Sequence, residues 1–386
     1  MKLLFFFSTI TLAFIYVFYG IIIRLLNQLS KNKKQDQNLN FELPEVAFLI
    51  TAYNEEEVIR EKLINTLSLN YPADKLKVYV NSDGSDDKTN TIVSQFEKVK
   101  LLWKSERKGK TAAINRALPL IEEPIVIFSD ANVMLNSEAI LEMVKHYAQK
   151  NVGGVSGEKR VIANNLSSAS GTEGLYWKYE SFLKREDAKL KTLIGAAGEL
   201  FSIRSNLFIP LPEDTILDDF MISMNIIKQG YRIAYEPEAY AKETPSLNIS
   251  EEYKRKVRIG AGGLQSVLRL GIFLNPFSNF TIMFQYFFHR FSRWILSPIL
   301  IPLAFISNLF LIEVNNLYLW IFIAQLIFHL SALLGWYFDR KKIHYKVFFI
   351  PFYFNFMHYC ILAGWIKFLS GNQKVTWQKA TRLAIS

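Results

Sequence analysis

The sequence predicts an α/β protein with a mostly parallel sheet and with apolar helices at both ends of the chain. Three observations support this class. Strand-like and helix-like patterns alternate between residues 46 and 132. Polar and acidic residues follow the strands where they end. Long apolar segments lie near both termini, and they account for a composition that is 50% hydrophobic and 15% aromatic, which is high for a purely soluble enzyme.

Charge and cysteine content narrow the possible classes. The 386-residue chain has a formal net charge of +10, which suits either the cytoplasmic loops of a membrane protein or an anionic partner. The single cysteine, Cys360, excludes an internal disulfide and a zinc cluster of several thiolates. The G-x-G-x-x-G and G-x-x-x-x-G-K-[ST] patterns are absent from the sequence, which argues against a dinucleotide-binding fold and a P-loop ATPase.

The N-terminal segment predicts a membrane anchor. Residues 3–26 are almost wholly apolar and are about long enough to cross a bilayer core. The run is too long for a cleaved signal peptide, and no small-x-small site follows it. We therefore expect a transmembrane anchor over residues 1–26. Arg24 and the lysines after it place the carboxyl end in the cytoplasm, and residues 27–43 read as a linker.

A predicted domain over residues 44–265 opens with four strands, each ending in a polar turn. Acids stand where two of these strands end, at Asp83 and Asp130. Open α/β sheets bind their ligands at this edge, and a buried acid there needs a cation or donors. The alternative for Asp130 is that it only caps the following helix. A basic turn at 107–110 fits either a diphosphate or a solvated loop.

Several motifs, in this order, resemble those of the membrane-bound family 2 glycosyltransferases, including those similar to cellulose and hyaluronan synthases and to N-acetylglucosaminyltransferases. Residues 51–56 resemble the family's P-x-Y-N-E motif, and residues 81–87 resemble D-D-G-S-x-D. Residues 110–115 resemble K-x-x-A-x-N, and S-D-A-N at 129–132 occupies the place of the D-x-D metal site. The resemblance covers roughly residues 46–263 and implies a GT-A nucleotide-sugar-binding domain.

By this resemblance the carboxyl edge of the sheet binds a nucleoside-diphosphate sugar, with a UDP-sugar as the expected donor. Asp130 and Asn132 would bind Mg²⁺ or Mn²⁺, although Asn132 replaces the second Asp of D-x-D and is a weaker, neutral ligand. The full set implied for nucleotide-sugar binding is Thr51, Tyr53, Glu55, Asp83, Lys110, Asn115 and Asp130.

The second half of the domain carries the acceptor side in this family. Gly195 and Gly198 resemble a G-x-x-G segment, whose small residues let a sugar approach the backbone. Asp218 and Asp219 stand where the family has T-E-D, which implies that Asp219 is the general base and Asp218 its acidic neighbour. Adjacent carboxylates raise each other's pKa, which suits a base. The alternative is an acidic helix start that interacts only with the helix dipole.

A basic segment follows at residues 253–263, where processive members carry Q-x-x-R-W. Arg258 matches the arginine that would neutralise the leaving diphosphate, and Arg255 replaces the glutamine. Ile259 replaces the tryptophan that would cap the acceptor sugar of a growing polymer. The alternative for these basic residues is that they bind anionic lipid.

The C-terminal part predicts further membrane segments. Residues 277–293 mix aromatic and basic residues and predict an interfacial amphipathic helix. Residues 294–370 form a predicted transmembrane region, whose last apolar segment, 347–369, either spans or is re-entrant. The basic tail 371–386 carries a W-x-K-x-x-R pattern at 377–382 and is expected in the cytoplasm.

These patterns together predict an inverting hexosyltransferase of the inner membrane, multi-pass, with a cytoplasmic catalytic domain. It would transfer a sugar to a hydroxyl of a glycan or lipid-linked acceptor in cell-surface polysaccharide or glycolipid synthesis. The bilayer is an expected partner and nucleic acid is not. The alternative is a catalytically inactive nucleotide-sugar-binding subunit of a polysaccharide synthesis or export complex. A transporter is disfavoured by the small number of predicted spans.

Overall fold

The computed structural model describes residues 1–30, 42–161, 169–244, 248–341, 343, 345–373 and 376. The chain divides into two compact units, each assembled from separate parts of the sequence. We call them the sheet unit (Asn32–Ile162, Asp187–Pro245 and Lys374–Ser386) and the helical unit (Met1–Lys31, Ala163–Glu186 and Ser246–Gln373).

The strands of the sheet unit pair into a single sheet. In chain order they are β1 (Val46–Ala52), β2 (Leu76–Asp83), β3 (Val99–Lys104), β4 (Ile125–Asp130), β5 (Met134–Leu135), β6 (Val152–Val161), β7 (Leu200–Arg204) and β8 (Arg232–Glu243). Their order in the sheet is β3-β2-β1-β4-β7-β6-β8-β5. Strands β3, β2, β1 and β4 run parallel, as do β6 and β8, whereas β7 is antiparallel to both of its neighbours and β5 to β8. The predicted mostly parallel sheet is confirmed.

The two central strands are buried because their sequences are continuously apolar. Every residue of β1 is buried, and so are the first five residues of β4. Such runs fit strands that are covered on both faces. Phe48 and Ile127 belong to the core that these strands share with the covering helices. The polar residues that end each strand therefore stand at the edge of a rigid sheet.

The helices alternate with the strands in the sheet unit and make up most of the helical unit. They are α1 (Lys2–Ala13), α2 (Tyr19–Leu29), α3 (Ile59–Leu67), α4 (Thr89–Val93), α5 (Lys110–Ala117), α6 (Ala139–Val144), α7 (Ala169–Leu190), α8 (Asp218–Lys228), α9 (Ile249–Arg269), α10 (Phe280–Tyr286), α11 (Ser297–Leu309), α12 (Asn316–Arg340) and α13 (Lys346–Leu369). Two π-helical segments, Phe14–Phe18 and Phe287–Leu296, join α1 to α2 and α10 to α11.

Four helical stretches among the described residues are long and apolar enough to cross a membrane, by length and composition. They are Lys2–Leu29, Phe280–Leu309, Asn316–Arg340 and Val347–Leu369. The first covers the predicted anchor and extends beyond its predicted end at residue 26. The last continues as a helix through Pro351. Apolar helices at both ends of the chain, as predicted, mark a membrane protein.

One boundary differs from the prediction. An interfacial helix ending at 293 was expected before a transmembrane region beginning at 294, but helix continues from Phe280 to Leu309 without a break. Glu180 of α7 accepts hydrogen bonds from Arg290 and Arg293 at 2.8 and 3.0 Å. His289 lies 3.1 Å from the same carboxylate. These polar side chains thus share a buried carboxylate within the protein. The interfacial position itself stays a prediction.

A second boundary also differs. Residues 163–186 and 246–265 were predicted within the globular domain, but they belong to the helical unit. For the second of these segments, the reason is close helix packing between α9 and α13. A Cβ on Gly364 would lie 2.5 Å from the carbonyl oxygen of Val257, and one on Gly260 would lie 2.8 Å from the Cα of Ile361. The tail pattern at 377–382 and most of the predicted linker lie outside the described residues.

Candidate active site

Strand register brings the polar residues together at the carboxyl edge of the sheet. Thr51, near the end of β1, pairs with Asn81 of β2 on one side and with Asp130 of β4 on the other. Asp83 ends β2 two residues after Asn81. The arrangement follows from parallel pairing, because the carboxyl ends of parallel strands meet at one edge. Thr51, Asp83 and Asp130, which lie apart in the sequence, therefore share that edge.

The loops after β1 and β2 are joined by reciprocal hydrogen bonds. The amide of Asn54 donates to Asp86 Oδ1 at 2.6 Å, and the backbone N–H of Asp86 donates to Asn54 Oδ1 at 3.0 Å. Asn54 has a φ of 53°, a left-handed conformation that Asn tolerates better than most residues. The backbone N–H of Glu55 donates to Thr89 Oγ1 at 2.8 Å. The P-x-Y-N-E-like loop is thus fixed by its neighbour.

The carboxylate of Asp83 holds the basic turn that precedes α5. Its two oxygens accept the backbone N–H groups of Lys108 at 3.2 Å and of Gly109 at 2.7 Å. Asp83 is fully buried, so these donors replace the solvent that its charge has lost. Gly109 has a φ of 97°, which favours glycine, and helix α5 begins at the next residue. Asp83 therefore determines where Lys110 starts its helix.

Tyr53 and Arg107 form a stacked pair within the same edge. The guanidinium carbon of Arg107 lies 3.5 Å from the centre of the Tyr53 ring. Contacts of this kind contribute about 0.5–1 kcal/mol at exposed sites and more when desolvated. Both side chains are partly exposed, so the stack forms a flat, positively charged surface beside the predicted nucleotide site.

Lys110 lies between two of the predicted site acids. Its ammonium donates to Asp130 Oδ1 at 2.8 Å and lies 3.6 Å from Asp218 Oδ2. Burial alone would lower the pKa of Lys110, but the carboxylates of Asp130, Asp218 and Asp219 outweigh it and raise that pKa above its usual value. The side chain is therefore cationic at neutral pH. Asp130, at the end of β4, and Asp218, at the start of α8, thus both lie beside the Lys110 ammonium.

Asp219 has a carboxyl group whose pKa is well above its usual value. Burial, followed by the negative charge of Asp218, raises its pKa to about 7, while Lys110 opposes the rise. Its Oδ1 accepts the backbone N–H of Phe220 at 2.8 Å. A carboxyl group with a pKa near the working pH is ionised often enough to accept a proton and basic enough to hold it.

The G-x-x-G segment lies against Asp219. A Cβ on Gly198 would lie 2.9 Å from Asp219 Oδ2, and one on Gly195 would lie 2.2 Å from the Phe220 ring. The backbone N–H groups between the two glycines are also engaged. Ala196 donates to Ser223 Oγ at 3.0 Å, and Ala197 donates to Ser156 Oγ at 3.2 Å. A side chain at 195 would therefore clash with Phe220, and one at 198 would push the Asp219 carboxylate aside.

Asn132 is oriented by a buried ion pair that the sequence did not reveal. Its amide nitrogen donates to Glu243 Oε1 at 3.3 Å. Glu243 in turn pairs with Lys159, which also lies 2.7 Å from Glu199 Oε1. The amide nitrogen of Asn132 therefore faces Glu243.

The donor chemistry at the edge fits a divalent metal ion. Asp130 presents a carboxylate whose side chain is 34% exposed, and Asn132 contributes an amide oxygen. Among the described residues no cluster of three or more His, Cys, Asp or Glu side chains is arranged to hold a metal. Mg²⁺ and Mn²⁺ suit such a sparse oxygen site, because substrate phosphates and water complete their coordination.

Other predicted residues make contacts of a different kind. The amide of Asn115 donates to the Leu211 carbonyl at 2.7 Å and accepts the Leu211 N–H at 3.1 Å, which ties α5 to the loop before α8. Arg255 pairs with Glu252 on α9 of the helical unit, and Arg258 lies one turn further along. The functional roles of these three residues stay predictions.

Lys62 is a residue of this edge that sequence reasoning missed. It lies on α3 and donates to Ser129 Oγ at 2.7 Å, directly before Asp130. Burial lowers its pKa to about 7, against the attraction of Asp130. Its spacing from Ile59 and Leu63 places it on the buried face of the helix, and that spacing was the available signal.

The sheet with its acidic edge places the protein among α/β domains that bind nucleotide-linked ligands where the strands end. Residues 47–209 match the family model for glycosyl transferase family 2. Through this segment the chain is similar to glycosyltransferase family 2, and its sheet unit has the GT-A fold.

Two curated relatives illustrate the similarity. Poly-β-1,6-N-acetyl-D-glucosamine synthase from Staphylococcus aureus (strain COL) is 28% identical over 253 residues, covering 62% of this chain and 59% of that protein. The chain thus matches less than two thirds of that relative's length. The probable glycosyltransferase YdaM from Bacillus subtilis (strain 168) is 24% identical over 382 residues, covering 88% of this chain and 87% of that protein.

A solved structure shares the fold. Mannosyltransferase PcManGT from Pyrobaculum calidifontis, determined in complex with GDP-Man and Mn²⁺, has a TM-score of 0.72 and 21% sequence identity. The similarity covers 96% of this chain and 100% of the other. The GT-A fold and the accompanying apolar helices predicted from the sequence are therefore confirmed.

Proposed function

We propose that this protein is a membrane-bound inverting glycosyltransferase. It moves a sugar from a nucleoside-diphosphate sugar to a hydroxyl of a glycan or lipid-linked acceptor, in the synthesis of cell-surface polysaccharide or glycolipid. One observation carries the proposal: the Lys110 ammonium lies 2.8 Å from Asp130 and 3.6 Å from Asp218, and Asp219 is the next residue. A donor-side acid, a cation and an acceptor-side base thus meet at one edge of the sheet.

The donor is a nucleoside-diphosphate sugar, and UDP-sugars are the first class to test. The family match supports this class, as does the GDP-Man bound by PcManGT. The stacked pair of Tyr53 and Arg107 offers a flat surface to a nucleobase, and Lys110 offers a cation to the diphosphate. The proposed donor set remains the seven residues named from the sequence, of which Asp83 acts by holding the turn before Lys110.

Asp130 and Asn132 would hold Mg²⁺ or Mn²⁺ together with the diphosphate. The bound ion supplies charge that stabilises the leaving diphosphate. The Mn²⁺ in PcManGT supports the use of a divalent ion. Lys110 contributes a second positive charge at the same place, so that two cations face a leaving group that gains negative charge.

Asp219 would accept the proton of the acceptor hydroxyl. The hydroxyl oxygen attacks the anomeric carbon from the side opposite the diphosphate, so the new glycosidic bond forms as the bond to the diphosphate breaks. A single displacement inverts the configuration and gives a β-linkage from an α-donor. The raised pKa of Asp219, about 7, supports this role because the carboxylate can both take and release a proton near neutral pH.

We assign the reaction to the cytoplasmic side of the inner membrane. The four candidate spans support a multi-pass arrangement, and the positive charge that follows the first supports a cytoplasmic sheet unit. The name of the staphylococcal relative supports a polysaccharide as product. We retain the segments 1–26, 27–43, 44–265, 277–293, 294–370 and 371–386 as functional divisions, with the two structural differences described above.

Transfer assays on isolated membranes test the proposal. Membranes containing the wild-type protein are incubated with radiolabelled UDP- and GDP-sugars, with Mn²⁺ or EDTA, and lipid and polymer fractions are counted. We expect metal-dependent incorporation from one donor, and a loss of about 10²-fold or more in Asp219→Asn because the base is removed. Glu213→Gln, an exposed acid in the preceding loop, is the matched control and should retain transfer.

The alternative of an inactive subunit has less support, because Lys110, Asp130, Asp218 and Asp219 are all present in contact-forming geometry. Protein that binds UDP but neither transfers nor hydrolyses any donor would favour that alternative. Full transfer by Asp219→Asn would instead refute the assignment of the base.

A further inference from the structure

A buried lysine lies beneath the turn that carries Asp130 and Asn132. Lys62 has 0% of its surface exposed. Its ammonium donates to Ser129 Oγ at 2.7 Å and to the carbonyl oxygen of Val133 at 2.9 Å. Ser129 precedes the two predicted metal ligands and Val133 follows them. One side chain thus holds both flanks of the segment 129–133.

A fully buried site is energetically unfavourable for a lysine unless the hydrogen bonds that its ammonium donates are required there. A buried ammonium loses its hydration, and hydrogen bonds or a counter-charge must replace it. Among the described residues no carboxylate oxygen lies within 4.0 Å of Lys62 Nζ, so its partners are the two neutral oxygens. The Phe48 ring lies 5.4 Å away, and an apolar side chain of the same length would pack there without this cost. Packing alone does not explain the lysine.

The hydrogen bonds of Lys62 also connect the turn that carries Asp130 and Asn132 to the acceptor-side segment. Ser129 Oγ accepts from Lys62 and lies 3.1 Å from the carbonyl oxygen of Glu199, to which it donates. Glu199 directly follows Gly198, whose position faces Asp219. A chain of two hydrogen bonds therefore links the core lysine, the strand end before Asp130 and the segment that contacts the base.

We propose that Lys62 is a positioning residue for the divalent-metal site, because it fixes both flanks of the turn and so sets the separation of the Asp130 carboxylate and the Asn132 amide. This inference rests on the proposed function, which supplies the metal. The positions of the two ligands matter more here because Asn132 is a neutral ligand in place of a second carboxylate and attracts the ion less strongly. Groups that orient metal ligands are typically worth about 10- to 100-fold in metal affinity.

Metal binding by the purified full-length protein tests the proposal. Lys62→Met keeps the side-chain length and removes the donors. Mn²⁺ is titrated alone and with UDP, and the free ion is followed by its electron paramagnetic resonance signal. We expect the Kd for Mn²⁺ to rise at least about tenfold in Lys62→Met. In assays, the Mn²⁺ concentration for half-maximal transfer should rise in parallel while the donor KM at saturating Mn²⁺ changes little.

Leu63→Ala is the matched control, because Leu63 is equally buried on the same helix and has no side-chain donor to hold the turn. It should lower the melting temperature at least as much as Lys62→Met and leave the Kd for Mn²⁺ within about twofold, since it removes packing and no ligand support. Equal weakening of Mn²⁺ binding in both variants would mean that Lys62 acts through stability alone, and the proposal would be wrong.

A second variant covers the case in which Lys62→Met does not fold. Ser129→Ala retains Lys62 and removes one of its two anchors, so it should also weaken Mn²⁺ binding. An unchanged Kd in either folded variant overturns the role of Lys62 and leaves the proposed function intact. A wild-type protein that transfers sugar without binding Mn²⁺ overturns the metal assignment, and the role of Lys62 with it.

Discussion

Gly198 lies directly against the carboxylate of Asp219, so that a methyl group at position 198 would be 2.9 Å from Asp219 Oδ2. The acceptor-side segment and the proposed base are therefore in contact, although they lie 21 residues apart in numbering. This contact explains why the position needs a residue without a side chain, and it suggests a direct test.

Gly198→Ala should displace the Asp219 carboxylate and reduce transfer. A shift of about 1 Å in a catalytic group can lower the rate by about 10²-fold, so we expect a fall of roughly 10- to 100-fold in kcat with a smaller change in donor KM. Steady-state kinetics on purified protein measure it. Gly271→Ala is the control, because nothing lies within 4 Å of a Cβ there. Unchanged kcat in Gly198→Ala would show that the contact has no catalytic consequence.

The pH dependence of transfer should follow Asp219. Its pKa is raised to about 7, and the base acts when ionised, so kcat should rise as the pH increases through about 7 and then level off. A pH–rate profile between 5 and 9 measures the midpoint. A profile that is flat across this range would contradict the assignment.

The raised pKa of Asp219 also affects stability. Whereas kcat should rise with pH, the stability of the folded state should fall. The folded-state pKa of Asp219 lies above the unfolded value of about 3.9, so the folded state binds this proton more tightly and stability falls as the pH rises from about 4 to 7. Asp219→Asn cannot ionise. Relative to wild type, it should therefore be more stable at pH 8 than at pH 5. Melting temperatures at the two values measure this, and the reverse order would rule out a raised pKa.

Replacing Lys110 should change both the rate and the pH profile. Lys110→Met removes the charge that faces the diphosphate, for which we expect a loss of about 10²- to 10³-fold in kcat. Because Lys110 lowers the pKa of Asp219, its removal should also move the midpoint of the pH–rate profile to higher pH. Lys145→Met, an exposed lysine that pairs with Glu142, is the control. A midpoint that stays in place would mean that Lys110 and Asp219 do not interact.

Asp83→Asn should weaken donor binding while leaving the fold intact. The carboxylate accepts the N–H groups of Lys108 and Gly109, and an amide can accept only one of them well. Hydrogen bonds to a charged group are worth about 1.5–3 kcal/mol, so we expect the donor KM to rise about tenfold. Asp74→Asn, an exposed acid, serves for comparison. Equal KM values in the two variants would leave Asp83 without a role in donor binding.

Local sequence predicted the features that depend on local chemistry. The apolar run before Asp130 was predicted to be a buried strand and is one, and the acid that ends it was expected to meet a cation or donors; Lys110 is one such partner. The carboxyl-edge position of Thr51 and Asp83 followed from the parallel pattern in the same way. The raised pKa of Asp219 comes first from its burial, which the local sequence did not indicate, and only second from its acidic neighbour Asp218.

Features that depend on distant parts of the chain were not predictable. The amide of Asn115 bonds to Leu211, 96 residues away, and no local pattern marks that partner. Glu180 is buried and accepts a hydrogen bond from Arg293, 113 residues away. The sequence alone suggested that an interfacial helix ends at Arg293, but the helix continues past it. Lys62 escaped notice because a single lysine in a helix ordinarily reaches water.

The reversed direction of β7 has an evolutionary consequence. Ser129 pairs with Leu200 at the point where β7 enters the sheet, so the residues just before β7 arrive beside the metal turn. An insertion or deletion among these residues would therefore shift Gly195 and Gly198 against Asp219 and disturb the pairing at Ser129 in the same event, so the two halves of the proposed site cannot be altered independently here.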